Sequence, residues 1–289
     1  MAAGTLPLDL VTPLVEAALA EDVGSGDVTS RATVPEGAEG SGSIVAKEAG
    51  VVCGLPVARI VFERVDGRLL FEPDVQEGAR VAPGDLLARV RGPVRAILTA
   101  ERTALNFLQH LSGIATATAA AVAALEGTGV RLLDTRKTVP GLRLLAKYAV
   151  RTGGGGNHRL GLYDMVMIKE NHAAAAGGVA AAIRLARQAC PSHVLEVEVT
   201  DLKEVVQALA EGPDRILLDN FAPERIREAA ALVRAREDPP EIEVSGGVTF
   251  DTLRSVAVPG VDFVSMGAIT HSAPALDLSL ELDPSRRGS

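Results

Sequence analysis

From Val130 onward the chain alternates short apolar runs with longer mixed segments, and each run closes on a polar residue or a glycine. The runs are Val130–Asp134, Asp164–Lys169, Val194–Glu198, Arg215–Asp219, Ile242–Ser245 and Asp262–Met266. A short apolar run followed by a helix-like segment, repeated, predicts parallel strands joined by helices. Six such units fill about 140 residues, whereas a full eight-unit barrel takes about 250. The second half therefore reads as an incomplete parallel β/α barrel of about six strands. Up to about residue 98 the pattern is glycine-punctuated and strand-like, as in Gly42–Ala46, Gly50–Cys53 and Val75–Val90, which predicts antiparallel or mixed β structure with some helix. Between the halves, Leu105, Leu108, Leu111 and Ile114 recur at helical spacing within Glu101–Leu125, so a long helix joins two domains.

Composition narrows the function classes. An apolar content of 47% in 289 residues supports a packed core, and no uninterrupted apolar run approaches the roughly 18 residues a membrane span needs. The first 25 residues carry Asp9, Glu16, Glu21 and Asp22 and no basic residue, so no signal or transit peptide is expected. Two cysteines far apart, Cys53 and Cys190, fit a reducing, cytoplasmic setting without structural zinc. A net charge of −8 argues against nucleic-acid binding and leaves small molecules as partners. Lysine is scarce, five against 24 arginines, so the place of each lysine is informative.

In parallel architectures of this kind the site gathers at the C-terminal strand ends, whether the sheet is a barrel or doubly wound. The first strand ends in Asp134-Thr135-Arg136-Lys137, two adjacent cations that call for an anion. A predicted helix over Leu142–Arg151 stops at Gly153–Gly156, read as a C-cap and a mobile close-approach loop that delivers Asn157, His158 and Arg159. Lys169 is the first polar residue after an apolar run, so a buried lysine paired with a carboxylate or ligand, or a Schiff-base nucleophile, is expected there. In the third strand Glu196 and Glu198 share a face opposite Leu195, Val197 and Val199, and a barrel-facing acid must be paired or metal-bound. Asp219 adds another carboxylate, and such oxygen donors suit Mg²⁺ or ribose hydroxyls equally. Ser245-Gly246-Gly247 and Met266-Gly267-Ala268 end the last two strands as turns whose backbone amides can cradle a phosphate. The set binds a polyanion.

These segments, Thr135-Arg-Lys-Thr, Gly-Gly-Asn-His-Arg159, Lys169-Glu-Asn-His, Glu196-Val-Glu198, Leu218-Asp-Asn and Ser245-Gly-Gly, resemble quinolinate phosphoribosyltransferases, the type II phosphoribosyltransferases, in order and spacing. Glu101-Arg102-Thr-Ala-Leu-Asn106 and Glu21–Asp27 look like the family's N-terminal motifs, so the resemblance covers nearly the whole chain. It implies an α/β protein with an N-terminal α/β sandwich domain over residues 1–112, the incomplete barrel over 113–268, and a segment 269–289 returning to the first domain. It further implies transfer of phosphoribose from phosphoribosyl pyrophosphate to quinolinate with decarboxylation. Arg102, Arg136, His158, Arg159 and Lys169 would surround quinolinate, with Thr135 also binding substrate and Arg102 supplied by the neighbouring subunit of an obligatory homodimer or higher oligomer. Lys137, Glu198 and Asp219 would meet phosphoribosyl pyrophosphate or its Mg²⁺, with catalytic weight on Lys137, Lys169, Glu198 and Asp219. Ser245, Gly246, Gly247, Met266, Gly267 and Ala268 would hold the 5′-phosphate.

Two other readings compete. Gly78–Val90 looks like a lipoyl or biotinyl carrier hairpin, but Arg91-Gly-Pro-Val stands where a tip lysine belongs. An aldolase barrel with Lys169 as imine nucleophile needs a lowered lysine pKa, and two arginines, a second lysine and a histidine exceed that need.

Overall fold

The computed structural model describes residues 6–284; the first five residues of the expected first domain and the last five of the expected returning segment lie outside it. The contacts divide the chain into two compact units that are not contiguous in sequence: 1–119 with 140–154 and 273–289, and 120–139 with 155–272.

The first unit carries helices α1 (Leu8–Val23), α2 (Val28–Thr33) and α3 (Leu55–Val65), and strands β1 (Glu39–Ala46), β2 (Gly50–Val51), β3 (Leu70–Pro73), β4 (Arg80–Val81) and β5 (Leu86–Pro93). Most of α4 (Val94–Ala124), all of α5 (Arg143–Thr152) and the late strand β12 (Leu278–Pro284) belong to it as well. Its main sheet has the order β12-β1-β5-β3 and is antiparallel throughout. The region read as a carrier hairpin is thus part of a sheet, with β5 paired on both edges. On α4 the residues Leu105, Leu108, Leu111 and Ile114 are fully buried, as their spacing predicts. By length and composition α4 could cross a membrane, which no uninterrupted run suggested, yet its most apolar 18-residue window is 61% buried inside the protein, as in a core helix.

The glycine run after α5 begins with the helix C-cap, Gly153, and makes the close approach that the run predicts. A Cβ on Gly153 would lie 2.4 Å from the Ala115 carbonyl oxygen and 2.7 Å from Thr118 Cβ, so only glycine lets α5 approach α4 this closely. Gly156 then bridges to Leu133, placing the following residues against the first barrel strand.

The second unit holds strands β6 (Arg131–Leu133), β7 (Val166–Ile168), β8 (Leu195–Val199), β9 (Arg215–Asp219), β10 (Glu241–Ser245) and β11 (Phe263–Ser265). Helices α6 (Glu170–Ala176), α7 (Val179–Ala189), α8 (Leu202–Glu211), α9 (Pro223–Arg234), α10 (Phe250–Val256) and α11 (Ala268–His271) alternate with them. Local signals set the boundaries: the Asp201 side chain accepts from the Glu204 amide to cap α8, Gly212 ends that helix at φ +64°, and Pro223 opens α9. The sheet is parallel, in the order β6-β11-β10-β9-β8-β7. Among the described residues no pairing joins the edge strands β6 and β7, so the sheet is the six-stranded, incomplete barrel expected from the six apolar runs.

Candidate active site

All six strands point their C-terminal ends the same way, and a cavity of about 210 Å³ opens there. Its walls bring together Thr135, Arg136, Lys137, His158, Arg159, Lys169, Glu198, Asp219, Ser245 and Gly246, drawn from all of the strands except β11, whose Ser265 also lines it. Five residues expected at the site do not line this cavity. Arg102 is exposed on α4, in the other unit; Gly247 is exposed one residue beyond the wall. Met266 is buried, its amide donating to the Leu133 carbonyl, while Gly267 caps α11 against the Lys137 side chain and Ala268 begins that helix.

The cationic wall is built by burial. Arg159 is 9% exposed, and burial first and the neighbouring Arg136 charge second hold its guanidinium below the usual arginine range. An anion placed between the two arginines would relieve both costs. Asp134, fully buried at the end of β6, accepts from the His158 amide at 2.8 Å and from Asn157 Nδ2 at 2.7 Å, so it pins the loop that carries Arg159. Lys169, expected to be buried, is not: its side chain is 45% exposed and forms an ion pair with Glu198. The strand stops one residue early, at Ile168, which places Lys169 at the rim as the N-cap of α6, where its amide donates to His172 Nδ1.

The opposite wall is acidic and glycine-bearing. Asp219 accepts from Asn220 Nδ2 at 2.7 Å, and Asn220 has the one positive φ, +57°, found outside glycine among the described residues. Its amide donates to the Ser245 carbonyl at 3.0 Å. Gly246 sits in the left-handed region at φ +88°, and a Cβ there would meet the Asn220 amide nitrogen at 2.7 Å. Ser265 donates to Ser245 at 2.9 Å, joining the ends of β11 and β10, which pair as neighbours.

On the floor of the cavity sequence reasoning named Glu196 and His158 but missed Glu243. Glu243 lines the cavity and is fully buried, as is Glu196 below it, and the buried His158 ring lies 2.8 Å from Glu196 and 3.5 Å from Glu243. Burial pushes both carboxyls up to about 7, and for Glu243 the Glu196 charge adds to the rise. The signal was present: Glu243 interrupts the apolar run Ile242–Val244 as Glu196 interrupts Leu195–Val197. Met167, Leu217 and Arg215 carried no such mark.

Glu243 yields a pH prediction. Its carboxyl titrates near 7 in the folded protein against 4.5 for the ordinary group, so the native state holds a proton the unfolded chain has lost. That contribution to stability is complete below about pH 4.5 and is lost as pH rises through 7. Glu243→Gln, which cannot ionise, should lose less stability than the parent between pH 4.5 and 8, by on the order of 2 kcal/mol. Denaturant midpoints at the two pH values measure this, and parallel losses would contradict it. Glu196, His158, Arg215 and the Ser265 hydroxyl all face the group and are shared by both proteins.

A parallel barrel with cations, acids and a glycine turn converging on one cavity defines an enzyme class that acts on a polyanionic substrate. Comparison with known proteins gives the family. Profiles for the quinolinate phosphoribosyl transferase N-terminal and C-terminal domains match residues 27–112 and 114–281. The carboxylating nicotinate-nucleotide pyrophosphorylase of Mycobacterium leprae is 46% identical over 279 residues, covering 95% of this chain and 98% of that one. The decarboxylating quinolinate phosphoribosyltransferase 1 of Nicotiana glauca is 41% identical over 290 residues, covering 93% and 81%. The solved nicotinate-nucleotide pyrophosphorylase of Francisella tularensis superposes with a TM-score of 0.92 at 42% identity, covering 96% and 98%. The chain belongs to the quinolinate phosphoribosyltransferase family. Human nicotinic acid phosphoribosyltransferase, at 14% identity and a TM-score of 0.63 over 96% and 75%, shares the fold alone.

Proposed function

We propose that this protein transfers phosphoribose from phosphoribosyl pyrophosphate to quinolinate and decarboxylates the product, giving nicotinate mononucleotide, pyrophosphate and CO₂ in NAD biosynthesis. The observation that carries the reading is the desolvated Arg159 beside Arg136 in a family whose named members act on this acid. The two arginines and Lys169 grip the ring carboxylates, and this grip aims the ring nitrogen at the anomeric carbon. As the bond to pyrophosphate breaks, positive charge develops on the ribose, and Glu198 and Asp219 are the acids on that wall. The Ser245–Gly246 turn offers backbone amides to the 5′-phosphate. Once the nitrogen is quaternary it stabilises the carbanion left by loss of the adjacent carboxylate, so no separate cofactor is needed for decarboxylation.

Mg²⁺ fits this donor set as a partner of the substrate. Asp219 is engaged by Asn220 and Glu198 by Lys169, so two part-occupied carboxylates would hold an ion that keeps most of its ligands from phosphates and water. Bound there, it would neutralise the departing pyrophosphate. Asp219→Ala should raise the KM for phosphoribosyl pyrophosphate at least tenfold and leave quinolinate affinity within about twofold. A selective loss of quinolinate binding would reassign Asp219.

Arg102, exposed on α4 and outside the cavity wall, serves the site of a partner subunit in the homodimer we infer. Mixing Arg102→Ala with Lys169→Ala protein, each inactive alone, should restore activity through heterodimers carrying one intact site. Inactive heterodimers would place Arg102 elsewhere.

The reading itself is tested with purified protein, quinolinate, phosphoribosyl pyrophosphate and Mg²⁺. Nicotinate mononucleotide and CO₂ should appear in equal amounts; no turnover would overturn it.

A further inference from the structure

Asp219 and Ser245 are the last paired residues of β9 and β10, and the chain leaves β9 through a residue under strain. Asn220 takes φ +57°, and every other positive φ among the described residues belongs to glycine. A side chain is costly in the left-handed region, so a turn that needs only that shape takes glycine, as this chain does at Gly246 and Gly247. Asparagine tolerates the region better than most residues. A side chain kept there, next to a residue that lines the substrate cavity, points to a use for that side chain.

The contacts of Asn220 identify the use. Its backbone amide donates to the Ser245 carbonyl at 3.0 Å and so extends the β9–β10 ladder by one bond. Its side-chain Nδ2 donates to Asp219 Oδ2 at 2.7 Å. The same carboxamide lies over the glycine turn, since a Cβ on Gly246 would meet Asn220 Oδ1 at 2.5 Å and Cγ at 2.6 Å. The space that Gly246 leaves open is therefore filled by Asn220, which touches the acid on one side and the turn on the other.

An acid and a glycine turn on adjacent strands are two separate subsites unless something holds the distance between them. Asn220 is the one side chain found in contact with both. We propose that Asn220 is a positioning residue that sets the spacing between Asp219 and the Ser245–Gly246 turn, and thereby joins them into a single site for a sugar phosphate. The proposal rests on the phosphoribosyl pyrophosphate reading and adds to it how a ribose phosphate is told from bare phosphate. A ligand that reaches both subsites gains from their fixed spacing, whereas one that fills the turn alone does not.

Titration calorimetry with ribose 5-phosphate and with inorganic phosphate tests this without turnover, and Asn220→Gly is the main variant. Glycine accepts φ +57° freely and keeps the backbone amide, so the denaturation midpoint should not fall. Affinity for ribose 5-phosphate should drop about tenfold in Asn220→Gly, while that for inorganic phosphate stays within about twofold. Asn220→Asp keeps the size but sets an acceptor, not a donor, beside Asp219, and should fare no better than glycine. With Asp219→Ala already present, Asn220→Gly should add little further loss, because the spacing then has no acid to serve. The proposal would be overturned by a wild type with no preference for ribose 5-phosphate over inorganic phosphate, by equal losses for the two ligands, or by additive effects of the two substitutions. Wild-type protein that binds ribose 5-phosphate in the expected pattern but turns over no quinolinate would overturn the functional reading instead and leave the positioning role standing.

Discussion

Arg159→Ala is expected to raise the KM for quinolinate by about 10²-fold or more, on the order of 3 kcal/mol, with little change in the KM for phosphoribosyl pyrophosphate. The reason is the state of the side chain before substrate arrives. Arg159 is nearly buried and sits in the field of Arg136, so burial and that neighbouring charge outweigh the attraction of Glu196 and Asp164 and hold it below the usual arginine range. Removing it leaves a substrate carboxylate facing a dry wall with one cation fewer. Arg159→Lys should restore little, because a point charge cannot replace the two-pronged contact of a guanidinium with a carboxylate. Steady-state kinetics with each substrate varied in turn checks this; a variant with unchanged quinolinate KM would remove Arg159 from the acid site.

Gly246→Ala should disable the phosphate wall, while the neighbouring Gly247→Ala should be far milder. Both glycines have positive φ, +88° and +58°, but only at position 246 would a Cβ strike another residue, 2.7 Å from the Asn220 backbone nitrogen. At 247 its nearest neighbour is Asn220 Oδ1 at 3.7 Å. Relief at 246 requires moving Asn220, which breaks its bond to Ser245 and turns Asp219, its side-chain partner. The KM for phosphoribosyl pyrophosphate should rise at least tenfold in Gly246→Ala and by no more than about threefold in Gly247→Ala, where strain of about 1–2 kcal/mol is the main cost. Equal effects would show that conformation alone, and not the contact with Asn220, governs this turn.

The barrel was legible because each strand announces itself twice, by an apolar run and by the polar residue that stops it. Lys169, Glu198, Asp219 and Ser245 all stand at or beside such stops, and the structure gathers them into one cavity. What the pattern could not carry was depth and partnership. Lys169 reads as buried from its apolar run, but the strand ends before it and Glu198 draws it to the rim. The cap and close approach of the glycines after α5 were legible, but their partners Ala115 and Thr118, some 35 positions upstream, were not. Arg215 opens a strand at the barrel's lower end, where a charge is ordinary, and only the register of β8, β9 and β10 sets it opposite Glu196 and Glu241, from where its side chain reaches Glu243.

The central claim is that the desolvated Arg159, with Arg136 beside it, makes this site selective for an acid with two carboxylates. Its most direct test is the ratio of kcat/KM for quinolinate to that for nicotinate, measured with phosphoribosyl pyrophosphate and Mg²⁺ fixed and CO₂ release followed alongside. Nicotinate lacks the second carboxylate and leaves buried charge uncompensated, so the ratio should exceed about 10² in favour of quinolinate, with one CO₂ released per quinolinate consumed. Equal turnover of the two acids, or nucleotide formed from quinolinate without CO₂, would contradict the account.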